Sequence, residues 1–266
     1  MTEQCGNKGF ELKNDETSGI TTITLSSAPA NTLSLELLTN LIEKLRDIEK
    51  DDSVKGVLVT SKYNGETFIS GLNSYDMHNQ TDERLAKYWT AVQDIHFTMY
   101  SFGKPIVAAI NGDAVAGGCA FVLTCDYRVM MKGKRTGLPE AQFGIVAPFF
   151  YIDVMKSVIG NRQCELALLE GKIFSTEEAA KVGLVDEAVD LNLVLPNAMK
   201  KLQHLVKIPQ PAFKLTKQTL RQADIEKFIA NRDQNLKVTV GLIQQPFAQV
   251  AFGNIIKQLE AQRQSK

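Results

Sequence analysis

The sequence predicts an α/β fold followed by a helical C-terminal region. Three observations carry that prediction. Short β-rich runs alternate with helical patterns as far as about Asp190. Two glycine-bearing turns, one at Gly71 and one from Gly112 to Gly118, directly follow apolar strands. From Leu191 onward the pattern is almost wholly helical.

The elements follow in order. Ile20 to Leu25 (ITTITL) is β-branched and bounded by Gly19 and Pro29, which makes it a strand. Ser34 is placed to cap a helix whose apolar residues, Leu38, Leu41, Ile42, Leu45 and Ile48, recur at helical spacing up to Lys50. Gly56 to Thr60 (GVLVT) is a strand of the buried kind, and Thr67 to Ser70 is a short strand ending at Gly71. Leu85, Trp89, Val92, Ile95 and Met99 mark one face of a second helix over Asp82 to Phe102. Pro105 to Asn111 (PIVAAIN) is a buried strand running into the glycine turn, an apolar helix follows to Thr124, and Asp126 to Met131 is a strand.

Pro196, Pro209, Pro211 and Pro246 punctuate the remainder, as expected of helix starts and connections. The division this suggests is an α/β core over 1–195 and a helical region over 196–266. That region is too thin for a core of its own and is expected to pack on the first part or on a neighbouring subunit. The uncharged run Val238 to Ile256 contains Gln244, Gln245, Gln249 and Asn254, which suit a buried helix pair or a subunit contact and not a membrane span.

Composition excludes several functions. The 266 residues carry 30 basic and 30 acidic side chains, and this even balance lacks the basic excess of a nucleic-acid binder. Cys5, Cys119, Cys125 and Cys164 form no CxxC pair, and His78, His96 and His204 form no HExxH, so neither a zinc site nor a disulfide framework is expected. Residues 1–13 show no apolar signal core, and the C-terminal Gln264-Ser265-Lys266 differs from the peroxisomal Ser-Lys-Leu address.

The glycine stretch INGDAVAGGCA is not a P-loop, because Gly117-Gly118 is followed by Cys119 and not Lys. A G-x-G-x-x-G dinucleotide fingerprint and a G-x-S-x-G elbow are also absent. What the stretch offers is a helix start whose first amides point out of a tight bend, suited to a developing negative charge. Phe68-Ile69-Ser70-Gly71-Leu72 offers similar amides at a strand end. Glu140, after Pro139, reads locally as a first-turn acid favoured by the helix dipole. The apolar run Phe143 to Tyr151 beside it would also desolvate the carboxylate and raise its pKa, which suits a general base.

Taken together and in this order, these segments resemble the crotonase superfamily of enoyl-CoA hydratases and isomerases. Phe68 to Gly71 matches its F-x-[AS]-G segment, and Ala109 to Gly118 resembles its A-x-N-G-x-x-x-G-G segment with one residue more between Gly112 and Gly117. Gly137 to Glu140 matches its G-x-P-E, Pro29 to Ser34 resembles its P-x-N-A-L-[SN] with Thr32 in place of Ala, and Ile173 to Val189 resembles its late A-x-x-x-G-L-V segment. The resemblance implies a spiral of ββα units with a C-terminal helical trimerisation region.

It also implies an acyl-CoA substrate, no cofactor, and a homotrimer or dimer of trimers located in the mitochondrial matrix. With no targeting signal read in the chain, cytoplasm or peroxisome stay open. The implied catalytic groups are Glu140 and the backbone amides of Ser70 and Gly117. Gly71, Leu72 and Gly118 would line the substrate. Lys257 on the last helix resembles the position that reaches a neighbour's CoA, although a solvated Lys fits as well. Phe149, Phe150, Trp89 and Leu72 are candidates for an acyl pocket, each equally suited to ordinary core packing.

Hydratases of the family carry a second Glu directly after Gly-Gly-Cys, where this chain has Ala120, and Asn73 replaces the more usual Asp. One carboxylate suffices to move a proton between two carbons, so the expected reaction is transposition of a 3-enoyl to a 2-enoyl thioester. Hydration or another crotonase reaction, or non-catalytic acyl-CoA binding, are the alternatives.

Overall fold

The computed structural model describes residues 2–3, 9–28 and 30–264. The expectations that fall on Cys5, Pro29, Ser265 and Lys266 lie outside the described residues. The chain opens with β1 (Thr2–Glu3), β2 (Phe10–Asp15) and β3 (Ile20–Leu25). Helix α1 (Leu35–Lys50) follows, and the Ser34 hydroxyl caps it by accepting from the Leu37 N–H. Its apolar stripe, from Leu35 to Ile48, is buried, worth roughly 1.5–3 kcal/mol per large side chain.

Next comes a repeated pattern. β4 (Gly56–Ser61) is followed by β5 (Thr67–Ile69) and α2 (Asp82–Tyr100). β6 (Ile106–Ile110) is followed by β7 (Asp113–Val115) and α3 (Gly117–Leu123). β8 (Tyr127–Met131) is followed by β9 (Arg135–Gly137) and α4 (Phe149–Ile159). Each time, the first strand joins one sheet and the second joins another. The larger sheet has the order β1-β2-β3-β4-β6-β8-β11, closed by β11 (Glu187–Val189). The smaller has the order β10-β9-β7-β5, with β10 (Ile173–Ser175) at its edge. From β3 to β11 the large sheet is parallel. Its central strands are buried on both faces, which is why β4 and β6 read as unbroken apolar runs and not as alternation.

α5 (Asn161–Glu170) and α6 (Thr176–Val182) bracket β10, and α6 is held by a Ser175/Glu178 capping box. α7 (Leu191–Leu205) contains Pro196 and packs Val194, Ala198 and Leu202 against Ile20, Leu58, Val107, Ala109 and Val129 of the large sheet. The division expected at residue 195 therefore falls inside a helix that belongs to the α/β body. The purely helical remainder begins at α8 (Gln210–Ile243) and ends with α9 (Pro246–Gln264).

α8 docks on the first part of the same chain. Phe228 enters an aromatic layer with His96, Phe97, Phe149 and Phe150. Lys217 and Arg221 both pair with Asp126, at 2.8 and 3.0 Å. The uncharged run at 238–256 forms the α8–α9 corner, where Ile243, Ala248 and Phe252 are buried. No described helix is long and apolar enough to cross a membrane.

Candidate active site

Three neighbouring strands deliver the candidate residues. β5 pairs in parallel with β7, and β7 in parallel with β9, so all three end on the same edge of the small sheet. The segments after them, Ser70 to Leu72, Ala116 to Gly118 and Leu138 to Glu140, emerge side by side there. Ligands favour such an edge because the amides of the exiting loops are not taken up by strand pairing.

Glycines allow the close approach. A Cβ on Gly118 would lie 2.3 Å from the Ile69 carbonyl oxygen, and one on Gly112 would lie 2.6 Å from the Thr67 backbone. Ala116 adopts φ 51°, a conformation unusual for a residue with a Cβ, and its N–H donates to the Gly137 carbonyl at 2.8 Å. This bend starts α3 abruptly and leaves the Gly117 N–H at the helix entry with no backbone acceptor among the described residues. Buried Asn31, also at positive φ, donates to Ser61 Oγ and the Phe68 carbonyl, both at 2.9 Å, and so fixes the neighbouring loop.

The structure corrects one expectation. The Ser70 N–H is engaged by the Ala30 carbonyl at 3.2 Å, so it is not available to a ligand. One residue on, the Gly71 carbonyl accepts from the Leu33 N–H. The Leu72 nitrogen lies on the Gly117 side, 3.1 Å from where a Gly117 Cβ would stand, and its N–H has no acceptor among the described residues. The neighbouring pair of amides without an acceptor among the described residues is therefore Leu72 and Gly117. Gly71, at φ 124°, makes the bend that turns Leu72 toward α3.

Glu140 begins a short 3₁₀ turn, Glu140–Phe143, after Pro139. Its Oε2 is sealed from solvent and has no hydrogen-bond partner among the described residues. Desolvation pushes its pKa up from 4.5 to about 7. Its charge reaches Cys119 and Tyr151, whose acid groups are both raised, chiefly by burial and then by Glu140. Burial pushes the Cys119 and Cys125 thiols up to about 12, so they act as small apolar residues and not as nucleophiles.

Gly117 opens on a narrow cavity lined by Leu33, Ile95, His96, Met99, Ala120, Phe121, Thr124 and Tyr151. Ala120 is buried there, and no carboxylate accompanies it. Leu72 packs its side chain beside Gly117. Of the other expected pocket residues, Trp89 is buried with its indole N–H donating to Asn235 Oδ1 at 2.9 Å. Phe150 lies beneath it at 6.3 Å, and Phe149 packs edge-on against Phe150. These three form the aromatic layer under α8 and do not line the cavity at Gly117. Sequence reasoning missed Tyr151 and His96. Tyr151 ends the apolar run after Glu140 and passed as one more core aromatic, and His96 lies two turns from Trp89 on a helix face read as core.

Lys257 is exposed on α9. That helix lies against its own chain: Gln249 pairs with Asn79 and Met77, and Tyr75 donates to Glu260. Asn73 caps the turn at Ser74–Asp76 and donates to Asp76 Oδ2 at 3.0 Å. An Asp there would set two carboxylates in contact, which explains the neutral residue.

The family model for enoyl-CoA hydratase/isomerase matches residues 15–253. The chain is 34% identical over 260 residues to the human protein named enoyl-CoA delta isomerase 1, mitochondrial, covering 97% of this chain and 86% of that one. It is 30% identical over 193 residues to a putative enoyl-CoA hydratase of Thermus thermophilus, covering 71% of this chain and 75% of the other. The crystal structure of human mitochondrial delta3-delta2-enoyl-CoA isomerase superposes with a TM-score of 0.93 at 34% identity, covering 96% of this chain and 99% of that one. An enoyl-CoA hydratase from Bacillus halodurans superposes at 0.83 with 25% identity, covering 92% and 99%. Fold, glycine turns and family model agree: the chain belongs to the enoyl-CoA hydratase/isomerase family.

Proposed function

We propose that the protein is a Δ3,Δ2-enoyl-CoA isomerase of fatty-acid β-oxidation. The observation that carries this reading is Glu140: one carboxylate, its pKa raised to about 7 by desolvation, with an unpartnered buried oxygen, on the same sheet edge as the unpaired amide of Gly117. A base poised near neutrality can take a weakly acidic proton and return it.

The thioester carbonyl of a 3-enoyl-CoA is held by the N–H groups of Leu72 and Gly117. Glu140 removes a proton from C2, and the electron pair moves onto the thioester oxygen as a dienolate. The two amides stabilise that oxyanion, each worth about 2.7–4 kcal/mol in the transition state. The protonated Glu140 then delivers its proton to C4, leaving trans-2-enoyl-CoA. Oxidation state is unchanged, so the proton balance closes on a single carboxyl. Ala120 supports isomerisation over hydration, because adding water across the double bond calls for a second acid–base group.

Leu215 and Ile229 are 64 and 60 % exposed on one face of α8, which suits a homotrimer or a dimer of trimers burying that face. The mitochondrial names of the mammalian relatives support the matrix as the compartment. Incubation with cis- and trans-3-enoyl-CoA tests the reading: trans-2-enoyl-CoA is the expected product. Fast conversion of trans-2-enoyl-CoA to 3-hydroxyacyl-CoA would overturn it in favour of a hydratase.

A further inference from the structure

The two free amides are held in different ways. Gly117 is fixed by the start of α3, whereas Leu72 sits in a short loop between β5 and the turn Ser74–Asp76. One isolated parallel bridge, Leu33 with Leu72, joins that loop to the segment before α1. Half of the bridge is ordinary, with the Leu33 N–H donating to the Gly71 carbonyl at 2.9 Å. The other half of a parallel pairing would run from the Asn73 N–H to the Leu33 carbonyl. Here the Tyr88 hydroxyl bonds both of those groups. It accepts from the Asn73 N–H at 2.9 Å and donates to the Leu33 carbonyl at 2.7 Å. Tyr88 reaches them from α2 and is 0 % exposed.

These bonds set the direction of the Leu72 N–H. That N–H and the Gly71 carbonyl belong to one planar trans peptide, so they point opposite ways. Holding the carbonyl toward Leu33 turns the N–H away from Leu33, on the side where Gly117 lies. The next peptide, Leu72 to Asn73, is held through its N–H by Tyr88. Both peptide planes flanking the Leu72 Cα are therefore fixed, one by backbone and one by a side chain. The Asp76 carboxylate ties the same segments further out, accepting from the Leu35 N–H at 3.1 Å and from Asn73 Nδ2 at 3.0 Å, but it bonds neither of these peptides. With no surface exposed and both bonds made inside the protein, the Tyr88 hydroxyl does not itself meet a substrate.

We propose that Tyr88 is a positioning residue for the reaction: its hydroxyl spaces Asn73 from Leu33 and so aims the Leu72 N–H at the developing oxyanion. Without that oxygen, the Asn73 N–H and the Leu33 carbonyl are left to close on each other, and the shift turns Leu72 off the oxyanion. The proposal rests on the isomerase reading for the reaction and on the Tyr88 contacts alone for the geometry.

Tyr88→Phe keeps the buried ring and removes only the oxygen. It is expected to lower kcat for a 3-enoyl-CoA about 10- to 100-fold with KM within about 3-fold, because the weakened contact is made in the transition state. Binding titrations separate this from the isomerase reading, since they need no turnover. Acetoacetyl-CoA forms an enolate with charge on the thioester oxygen, and butyryl-CoA carries no such charge. Tyr88→Phe should weaken the enolate by about 10-fold or more and leave butyryl-CoA within about 3-fold. Thr81→Ala, which removes the hydroxyl that caps α2 at the Arg84 N–H, should lower the melting temperature with neither effect. Full kcat and full enolate affinity in Tyr88→Phe would overturn the proposal. So would equal losses for both ligands, or the same losses in Thr81→Ala. A Tyr88-dependent preference for the enolate in a protein that does not isomerise would uphold the proposal and sink the isomerase reading. Amide hydrogen exchange on the wild type decides the matter even for a variant that does not fold. The Asn73 amide should be protected in the free protein, and the Leu72 amide should become protected when acetoacetyl-CoA binds. A fast-exchanging Asn73 amide, or a Leu72 amide unchanged by the ligand, would overturn the proposal.

Discussion

Asp126 and Glu140 are two carboxylates set just outside strands of neighbouring sheets, and the chain treats them in opposite ways. Asp126 accepts from the Ile106 N–H at 2.8 Å, from Lys217 Nζ at 2.8 Å and from Arg221 at 3.0 Å. Glu140 has one oxygen sealed and unpartnered. The saturated carboxylate joins α8 to the α/β body. The starved one is left to find its partner in a substrate. Stability and reactivity come from the same functional group, and the difference is the number of donors the fold supplies.

The largest expected effect separates their roles in catalysis. Glu140→Gln removes the base at nearly constant volume and should lower kcat by about 10²–10⁴-fold, read in a steady-state assay. Asp126→Ala should leave kcat of the folded protein within a few-fold. It should instead lower the unfolding free energy by about 3–5 kcal/mol in a urea titration, because Lys217 stays buried without its counter-charge.

A pH comparison sharpens the contrast. The folded pKa of Glu140, about 7, lies above its ordinary 4.5, so the fold favours the protonated form. Its contribution to stability is full below about pH 4.5 and is lost as pH rises toward 7. Glu140→Gln should therefore match the wild type at low pH and exceed it by about 2–4 kcal/mol above pH 8, read by denaturant titration at each pH. A gap that does not widen with pH would show that the carboxylate is not starved. The smallest effect concerns the amides. Gly117→Ala sets a Cβ 3.1 Å from the Leu72 nitrogen and should narrow the space between the two donors. A loss of about 10- to 100-fold in kcat, with the melting temperature nearly unchanged, is expected.

The same contrast shows how far the sequence could be read. Ser34, the stripe of α1 and the buried runs of β4 and β6 were legible because capping and periodicity are local. β7 and β9 were not, since three residues carry no period, yet these strands bring Gly117 and Glu140 together. The segment Phe68 to Leu72 was recognisable as a source of free amides. Which amide is free depends on the Ala30 carbonyl, some forty residues earlier in the chain, and that choice moved the expected donor from Ser70 to Leu72. The boundary at residue 195 failed for a related reason. Pro196 looked like a helix start, but the pull of the large sheet on Val194, Ala198 and Leu202 holds α7 through it. Tyr151 and His96 were hidden because their ring surface packs as core.

The central claim is that a single desolvated carboxylate runs the proton transfer. The pH dependence of kcat/KM for a 3-enoyl-CoA tests it most directly, because the base must be ionised in the free enzyme. The predicted profile rises about tenfold per pH unit on its acid side, bends near 7 and levels above it. A profile that is flat across about pH 5.5 to 8.5, or one that bends at the ordinary carboxylate value near 4.5, would contradict it.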